Sequence, residues 1–132
     1  MLRKSLLAIM TLFMLSSPLF AELCPSVNDI KNNRLNGWQA FNKLNGKQLS
    51  VTQMKKFRNK LDSFMLAEWM QNAPEGSGHC YYSGKSLQVF LAKQRLAPRS
   101  AMSKTNHWHK AGSAEVMQCN SPKIKECLFQ AY

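Results

Sequence analysis

The stretch HCYYSGKSLQVFLAK, residues 79–93, decides the expected fold of this chain. Aromatic and aliphatic residues typical of strands lie on both sides of Ser83-Gly84-Lys85. A short polar segment with a glycine between two such runs is typical of a tight turn between antiparallel strands. We therefore predict one strand over 79–83 and a second over 86–93.

The segment before this pair, residues 50–71, combines a helical pattern with a strand pattern. Ser50 and Gln53 have the spacing of a capping box, and apolar residues then recur at helical intervals. From residue 62 onward, apolar and polar residues alternate instead. We predict a helix that ends near Lys60 and a strand over 62–71.

The remaining segments are assigned from turn and strand signals in the same way. We expect a short helix or turn over 25–31 capped by Ser26, a hairpin of 38–43 with 47–51 around Asn45-Gly46, a polar basic loop over 94–112, and closing strands over 113–119 and 126–132. The predicted architecture is α+β: a small antiparallel sheet with one or two helices, stapled by disulfides.

Residues 1–21 resemble a secretory signal peptide, with Arg3 and Lys4 before an apolar stretch over 5–15 and cleavage expected after Ala21. The apolar stretch is shorter than the roughly 20 residues of a spanning helix, although an uncleaved anchor is the alternative. Removing it takes away two basic residues and no acidic one, which leaves 111 residues with net charge +9. We assign residues 22–132 to a single exported domain.

Four cysteines follow the leader: Cys24, Cys80, Cys119 and Cys127. An even number in an exported chain predicts a disulfide framework, for which three connectivities exist. Asn120-Ser121-Pro122 can turn the chain, so we favour Cys119–Cys127, which leaves Cys24–Cys80. A zinc site or a redox pair is less well supported, because there is no Cys-x-x-Cys motif.

Candidate catalytic groups are few. His107 and His109, with His79 as a third ligand, could surround a zinc ion, but a His-x-His pair in a polar loop is more often an exposed segment without a metal. A small basic hydrolase using these histidines with Lys110 is a second hypothesis. The acidic residues are scattered singly, and nucleotide-binding and nucleophile motifs are absent. We predict no catalytic residue, no metal and no cofactor.

The excess positive charge, 18 basic against 7 acidic residues, occurs in clusters. The candidate anion-binding or partner-binding residues are Lys55, Lys56, Arg58, Lys60, Arg95, Arg99, Lys104 and Lys110. Such clusters attract phosphates, acidic glycans or an acidic protein, while the alternative is a solvated surface that keeps the protein soluble. Nucleic acid is not expected, because an exported chain rarely meets it.

A series of short motifs resembles one known family. The series is Cys24-Pro25-Ser26-Val27-x-Asp29-Ile30-Lys31, Gly37-Trp38, Phe64-x-x-Ala67-x-Trp69, Cys80-Tyr81-Tyr82, Trp108, and Cys119 with Cys127-Leu128-Phe129. In this order they resemble the EirA family of exported proteins of intracellular bacterial pathogens. The resemblance implies a periplasmic, non-enzymatic factor that supports a type IV secretion system and replication in a host cell. The matching residues carry over as fold markers only, and the long basic stretch from Lys43 to Lys60 departs from the family pattern.

The function predicted from the sequence is therefore that of a periplasmic accessory factor. It binds a protein partner in the cell envelope, such as a secretion-system component, and meets the membrane only through its leader. A homodimer through a strand edge after Lys93 or at Tyr132 is a further prediction. The alternatives are the small basic hydrolase and a secreted protein that binds polyanions.

Overall fold

The structure, a computed structural model, describes residues 21–72, 76–85, 88–99 and 107–131. Within these ranges no helix combines the length and the apolar character needed to cross a bilayer. The helices are α1 (Val27–Lys31), α2 (Val51–Lys60) and a 3-10 helix (Ile124–Glu126). The strands are β1 (Ala21–Glu22), β2 (Gln39–Asn42), β3 (Leu61–Met70), β4 (Ser77–Gly84), β5 (Val89–Gln94), β6 (Leu96–Pro98), β7 (Trp108–Ala111), β8 (Ser113–Cys119) and β9 (Phe129–Ala131).

Both helices begin where the sequence predicts. The Ser26 hydroxyl accepts a hydrogen bond from a backbone N–H in the first turn of α1. At α2, Ser50 and Gln53 form a complete capping box, in which each side chain satisfies a backbone N–H of the other residue. Helix α2 ends at Lys60 and β3 starts at the next residue, which confirms the predicted switch from helix to strand.

All strand pairs in the two described sheets are antiparallel. Six strands form one sheet in the order β2-β5-β4-β3-β8-β7, and three form another in the order β1-β9-β6. The predicted α+β class is confirmed, with two sheets in place of the single sheet expected. The central pair β4–β5 is the one predicted from residues 79–93.

One cross-strand row of residues forms the centre of the core. The six-stranded sheet brings the members of this inner row opposite one another: Ala40, Leu91, Cys80, Ala67, Cys119 and Trp108. All six are buried. Phe57 of α2, Ile30 of α1 and Phe129 of β9 belong to the same buried cluster. The helices and the three-stranded sheet therefore share one hydrophobic core with the inner row.

The two sheets approach closely at Gly78 on β4. A Cβ atom there would lie 2.9 Å from both Leu96 Cδ1 and Phe129 Cε1, so a side chain would push the smaller sheet away. Next to Gly78 in register, the Trp69 indole N–H donates a hydrogen bond of 2.6 Å to the Leu96 carbonyl. This bond fixes β6 to the inner face of the larger sheet.

Both disulfides have the predicted connectivity. Cys24 is bonded to Cys80 and Cys119 to Cys127, and both bonds are buried. The first joins the segment before α1 to β4, and the second joins β8 to the segment before β9. Disulfides persist in oxidising compartments, so the structure supports an exported protein.

The predicted hairpin of 38–43 with 47–51 is wrong. Strand β2 pairs with β5, and residues 47–51 contribute a single bridge, Phe41 to Gln48, in place of a hairpin. The reason is that Ser50 already caps α2, which leaves too few residues for a second strand.

The predicted loop over 94–112 contains β6 and β7, because Leu96 and Trp108 gain burial in the core. The closing strand predicted over 126–132 is shorter than expected, because Glu126 ends the 3-10 helix and β9 begins at Phe129.

The strand edge expected after Lys93 is not on β5, because β5 is paired with β2 on one side and with β4 on the other. The next strand, β6, lies at an edge of the three-stranded sheet. Tyr132 lies outside the described residues.

Candidate functional site

A second cross-strand row lies one residue away from the inner row on every strand. Its members, the outer row, are Gln39, Ala92, His79, Glu68, Gln118 and His109. Because successive side chains on a strand point to opposite faces, this row lies on the face away from the core. Its members are half-buried or exposed, and most are polar.

Glu68 is the centre of the hydrogen bonding in the outer row. The Gln118 amide donates to Glu68 Oε2 at 2.8 Å, and the Tyr81 hydroxyl donates to Oε1 at 3.1 Å. His79 Nδ1 lies 3.8 Å from Oε1 and has no hydrogen-bond partner among the described residues, although the atom is buried. The Glu68 carboxylate on β3 thus gathers polar groups from the strands on both sides, β4 and β8.

The environment keeps both central groups in their ordinary protonation state. His79 first, and then the donors on Gln118 and Tyr81, lower the pKa of Glu68, although burial opposes the change. Burial above all, with the nearby Glu68 charge, raises the pKa of Tyr81 well above its usual value. At neutral pH the pair is a fixed acceptor with a fixed donor, because neither group titrates there.

Aromatic rings form a floor beside Glu68. The rings of Phe41 and Phe90 stack with centroids 5.7 Å apart, and those of Phe90 and Tyr81 are 5.9 Å apart. The His79 ring is 4.9 Å from that of Phe90. The Lys43 ammonium lies 5.3 Å from the Tyr81 ring centroid, within the range of a cation–π contact.

Two concavities adjoin this floor. One, of about 410 Å³, is lined by Phe41, His79 and Phe90 among others. The other, of about 420 Å³, is lined by Lys43, Met65, Glu68, Tyr81 and Gln118 among others. We call the two concavities with the residues between them the outer-face site. The site combines a half-buried negative charge with apolar surface, which suits binding of a group that is apolar and carries a hydrogen-bond donor or a positive charge.

The three candidate histidines are not brought together. His79 and His109 share the outer row, but they are three strand spacings apart, roughly 14 Å. His107 and His109 line another concavity of about 490 Å³ with Glu126, and His107 pairs with that carboxylate. In ranges 21–72, 76–85, 88–99 and 107–131, no group of three or more His, Cys, Asp or Glu is placed to hold a metal ion.

The basic candidates separate into several places. Lys55, Lys56, Arg58 and Lys60 all lie on α2. Arg95 and Arg99 lie at the two ends of β6, and Lys110 lies on the edge strand β7. Lys104 lies outside the described residues. Among the candidates that the structure describes, the four on α2 therefore form the largest group on one element.

The outer-face site is not predicted from the sequence. There His79 stands out only as a zinc ligand or as a histidine of a small hydrolase, and Glu68 is one of seven acidic residues that occur singly. Strand alternation could have placed Glu68 and His79 on an outward face, but their proximity depends on the register between strands. Gln118 and Phe90 carried no separate signal.

Comparison with known proteins adds no relative, because no protein-family model, no curated protein and no solved structure matches the chain.

Proposed function

We propose that this protein is an exported, non-enzymatic binding protein of the bacterial cell envelope, and that it receives a protein partner at the outer-face site. The observation that carries the proposal is the half-buried Glu68 carboxylate beside the rings of Tyr81 and Phe90. A basic side chain of the partner would pair with Glu68. Neighbouring apolar groups would then cover the rings.

The protonation states favour binding over catalysis. A general acid or base works best when its pKa is near the operating pH. The contacts of Glu68 move its pKa down and those of Tyr81 move its pKa up, so both move away from neutrality. Gln118, the third member of the network, has no proton to exchange in this range.

The composition of the face favours a protein as the ligand. Aromatic residues and methionine are enriched at the centres of protein interfaces, and here Phe41, Phe90 and Tyr81 lie in one row with Met65 nearby. Binding energy in such interfaces is concentrated in a few anchor residues that fill pockets. The two concavities beside the rings have a size that such anchors would fill.

The compartment and the cellular role rest on other support. Two buried disulfides and the signal-like leader support export. The periplasm, and a role in supporting a type IV secretion system, are proposed from the resemblance to the EirA family. The partner on this proposal is a component of that machinery in the envelope.

The test uses a strain that lacks the protein and is complemented by variants. Met65→Glu places a negative charge at a side chain that is 49% exposed beside Glu68. Leu23→Glu is the matched control, because Leu23 is 39% exposed and lies next to β1. The readouts are effector delivery into host cells and crosslinking of the protein to secretion-system components.

We expect Met65→Glu to abolish both readouts and Leu23→Glu to preserve them, with both variants present at wild-type level. Equal behaviour of the two variants would argue against the outer-face site. Normal effector delivery in the strain that lacks the protein would contradict the role in secretion, whatever the variants do.

A further inference from the structure

The segment from Ile30 to Leu61 contains no aspartate or glutamate. Its basic residues are Lys31, Arg34, Lys43, Lys47, Lys55, Lys56, Arg58 and Lys60. We call residues 30–61 the basic segment. Eight of the 18 basic residues of the chain lie there with no acidic residue among them, so the segment contributes most of the net charge of +11.

The parts of the basic segment are neighbours in the structure. One concavity, of about 340 Å³, is lined by residues 33 and 35 together with Val51 and Arg58 of α2. A second, of about 360 Å³, is lined by Asn45 and Lys47 together with Gln53 of α2. The turn after β2, the loop after α1 and helix α2 therefore form one continuous side of the molecule.

Within the part of the chain that the structure describes, ion pairs compensate little of this charge. Arg34 pairs with Asp29 at 3.2 Å, and Asp29 lies just before the segment. Among the residues that the structure describes, Lys55, Lys56 and Lys60 have no ion pair. A surface with this much unpaired positive charge attracts a polyvalent anion.

Two large apolar side chains of the basic segment are highly exposed. Leu44, in the turn after β2, is 80% exposed, and Val51, at the start of α2, is 88% exposed. These are the highest exposures among the large hydrophobic residues in the described part of the chain. Val51 and Lys55 are four residues apart on α2, so they share one helix face.

We propose that the basic segment docks on an anionic lipid bilayer, with its cations against the lipid phosphates and Leu44 and Val51 inserted at the headgroup boundary. Basic residues beside exposed apolar side chains are the combination that binds proteins to anionic membrane surfaces. A soluble polyanion would use the cations but leave the two apolar residues in water. This inference rests on the proposed export to the envelope, and it concerns a surface other than the outer-face site.

The first test measures binding to vesicles. The protein is expressed with its own leader, purified from the periplasm of the producing bacterium, and sedimented with lipid vesicles. We expect binding to mixed phosphatidylglycerol–phosphatidylcholine vesicles and not to pure phosphatidylcholine vesicles, with affinity falling steeply as salt rises. Equal binding to both kinds of vesicle would overturn the proposal.

A matched pair of variants locates the surface. Lys55→Gln with Lys56→Gln should weaken binding by about 25-fold, because each cation near an anionic surface contributes about fivefold. Lys123→Gln with Lys125→Gln removes the same charge at the 3-10 helix, where Lys123 is the N-cap residue and Lys125 lies in the last turn, and it should leave binding within about twofold of wild type. Equal loss in both variants would show an effect of net charge alone and would overturn the proposal.

The apolar residues separate a bilayer from a soluble polyanion. Leu44→Ser with Val51→Ser should weaken vesicle binding severalfold and leave heparin binding unchanged. Because both side chains are exposed, thermal melting should confirm that the fold is intact. Unchanged vesicle binding in this variant would overturn membrane insertion and favour a soluble polyanion. Vesicle binding does not depend on effector delivery, so this proposal and the proposed function can fail separately.

Discussion

The inner row and the outer row of the six-stranded sheet differ by one residue on each strand, yet their environments are opposite. The inner row is buried throughout, and the outer row is polar and half-exposed. Cys80 and Ala67 of the inner row are adjacent along the chain to His79 and Glu68 of the outer row. A slip of one residue in register would exchange the two sets, so the register determines both the core and the candidate site.

The comparison also shows how the candidate site is held in place. The two disulfides attach to the inner row at Cys80 and Cys119, which lie on either side of Ala67. Glu68 directly follows Ala67 on β3. The covalent framework therefore lies immediately beneath the carboxylate that organises the outer row.

The largest loss of stability should come from removing the disulfides that are attached to the inner row. Cys24→Ala with Cys80→Ala opens a bond with a sequence separation of 56 and should lower the free energy of unfolding by about 4 kcal/mol. Cys119→Ala with Cys127→Ala opens a bond with a separation of 8 and should cost about 2.5 kcal/mol. Urea denaturation of the two purified double variants measures the difference. An equal or reversed order would show that loop length does not govern these bonds.

The next test makes the same substitution in each row. Ala67→Leu should destabilise the fold by about 1–3 kcal/mol, because the side chain is fully buried between the two cystines. Ala92→Leu is the control: Ala92 is half-buried and lines the concavity beside Phe90, so its cost should stay below about 0.5 kcal/mol. Thermal or urea unfolding compares them. A similar cost at both positions would contradict the distinction between the rows.

A smaller effect should follow from removing the charge at the centre of the outer row. Glu68→Gln should cost about 1–2 kcal/mol at neutral pH, because the hydrogen bonds to the carboxylate lose their ionic component. The measurement is the free energy of unfolding from urea titrations at several pH values.

The pH dependence of the unfolding free energy shows whether the Glu68 carboxylate stabilises the fold. The pKa of Glu68 is lowered in the folded protein, so its stabilising effect is complete above the ordinary value of 4.5 and is lost as the pH falls through the folded value. The wild type should therefore lose more stability on acidification than Glu68→Gln. The pKa of Asp29 is also lowered, but its contribution is common to both proteins and cancels in the difference. Parallel pH curves for the two proteins would contradict the role given to Glu68.

The smallest effect is expected at the edge strand β7, where His109 ends the outer row and His107 directly precedes the strand. His107→Ala with His109→Ala should change stability by less than about 0.5 kcal/mol, because the ion pair of His107 with Glu126 is partly exposed. Effector delivery should remain normal in a strain that carries this variant. Loss of delivery with an intact fold would favour the hydrolase hypothesis over a binding protein.

Patterns between residues close together in the sequence were sufficient to predict the centre of the fold. The capping box of Ser50 and Gln53 and the alternation after it fixed α2 and β3, because both patterns act between near neighbours. The cystine connectivity also followed from short-range reasoning about the segment between Cys119 and Cys127. These elements do not need distant contacts to be recognised.

The short strands and the site could not be predicted in this way. Strands β6 and β7 have three and four residues, and Leu96 and Trp108 belong to strands only because distant residues bury them. Glu68 and Gln118 are 50 residues apart in the chain, and they meet because β3 pairs with β8. Bulges in the pairing of β3 with β4 shift the register further, so alternation alone does not establish the outer row.

The disulfide connectivity has a consequence for how the chain matures. Cys24 and Cys80 are the first two cysteines in the chain, and Cys119 and Cys127 are the last two. An oxidase that joins thiols in the order in which they emerge from the export channel would form the native bonds directly. Maturation would then need no isomerase, because reshuffling through mixed disulfides corrects only bonds formed out of order.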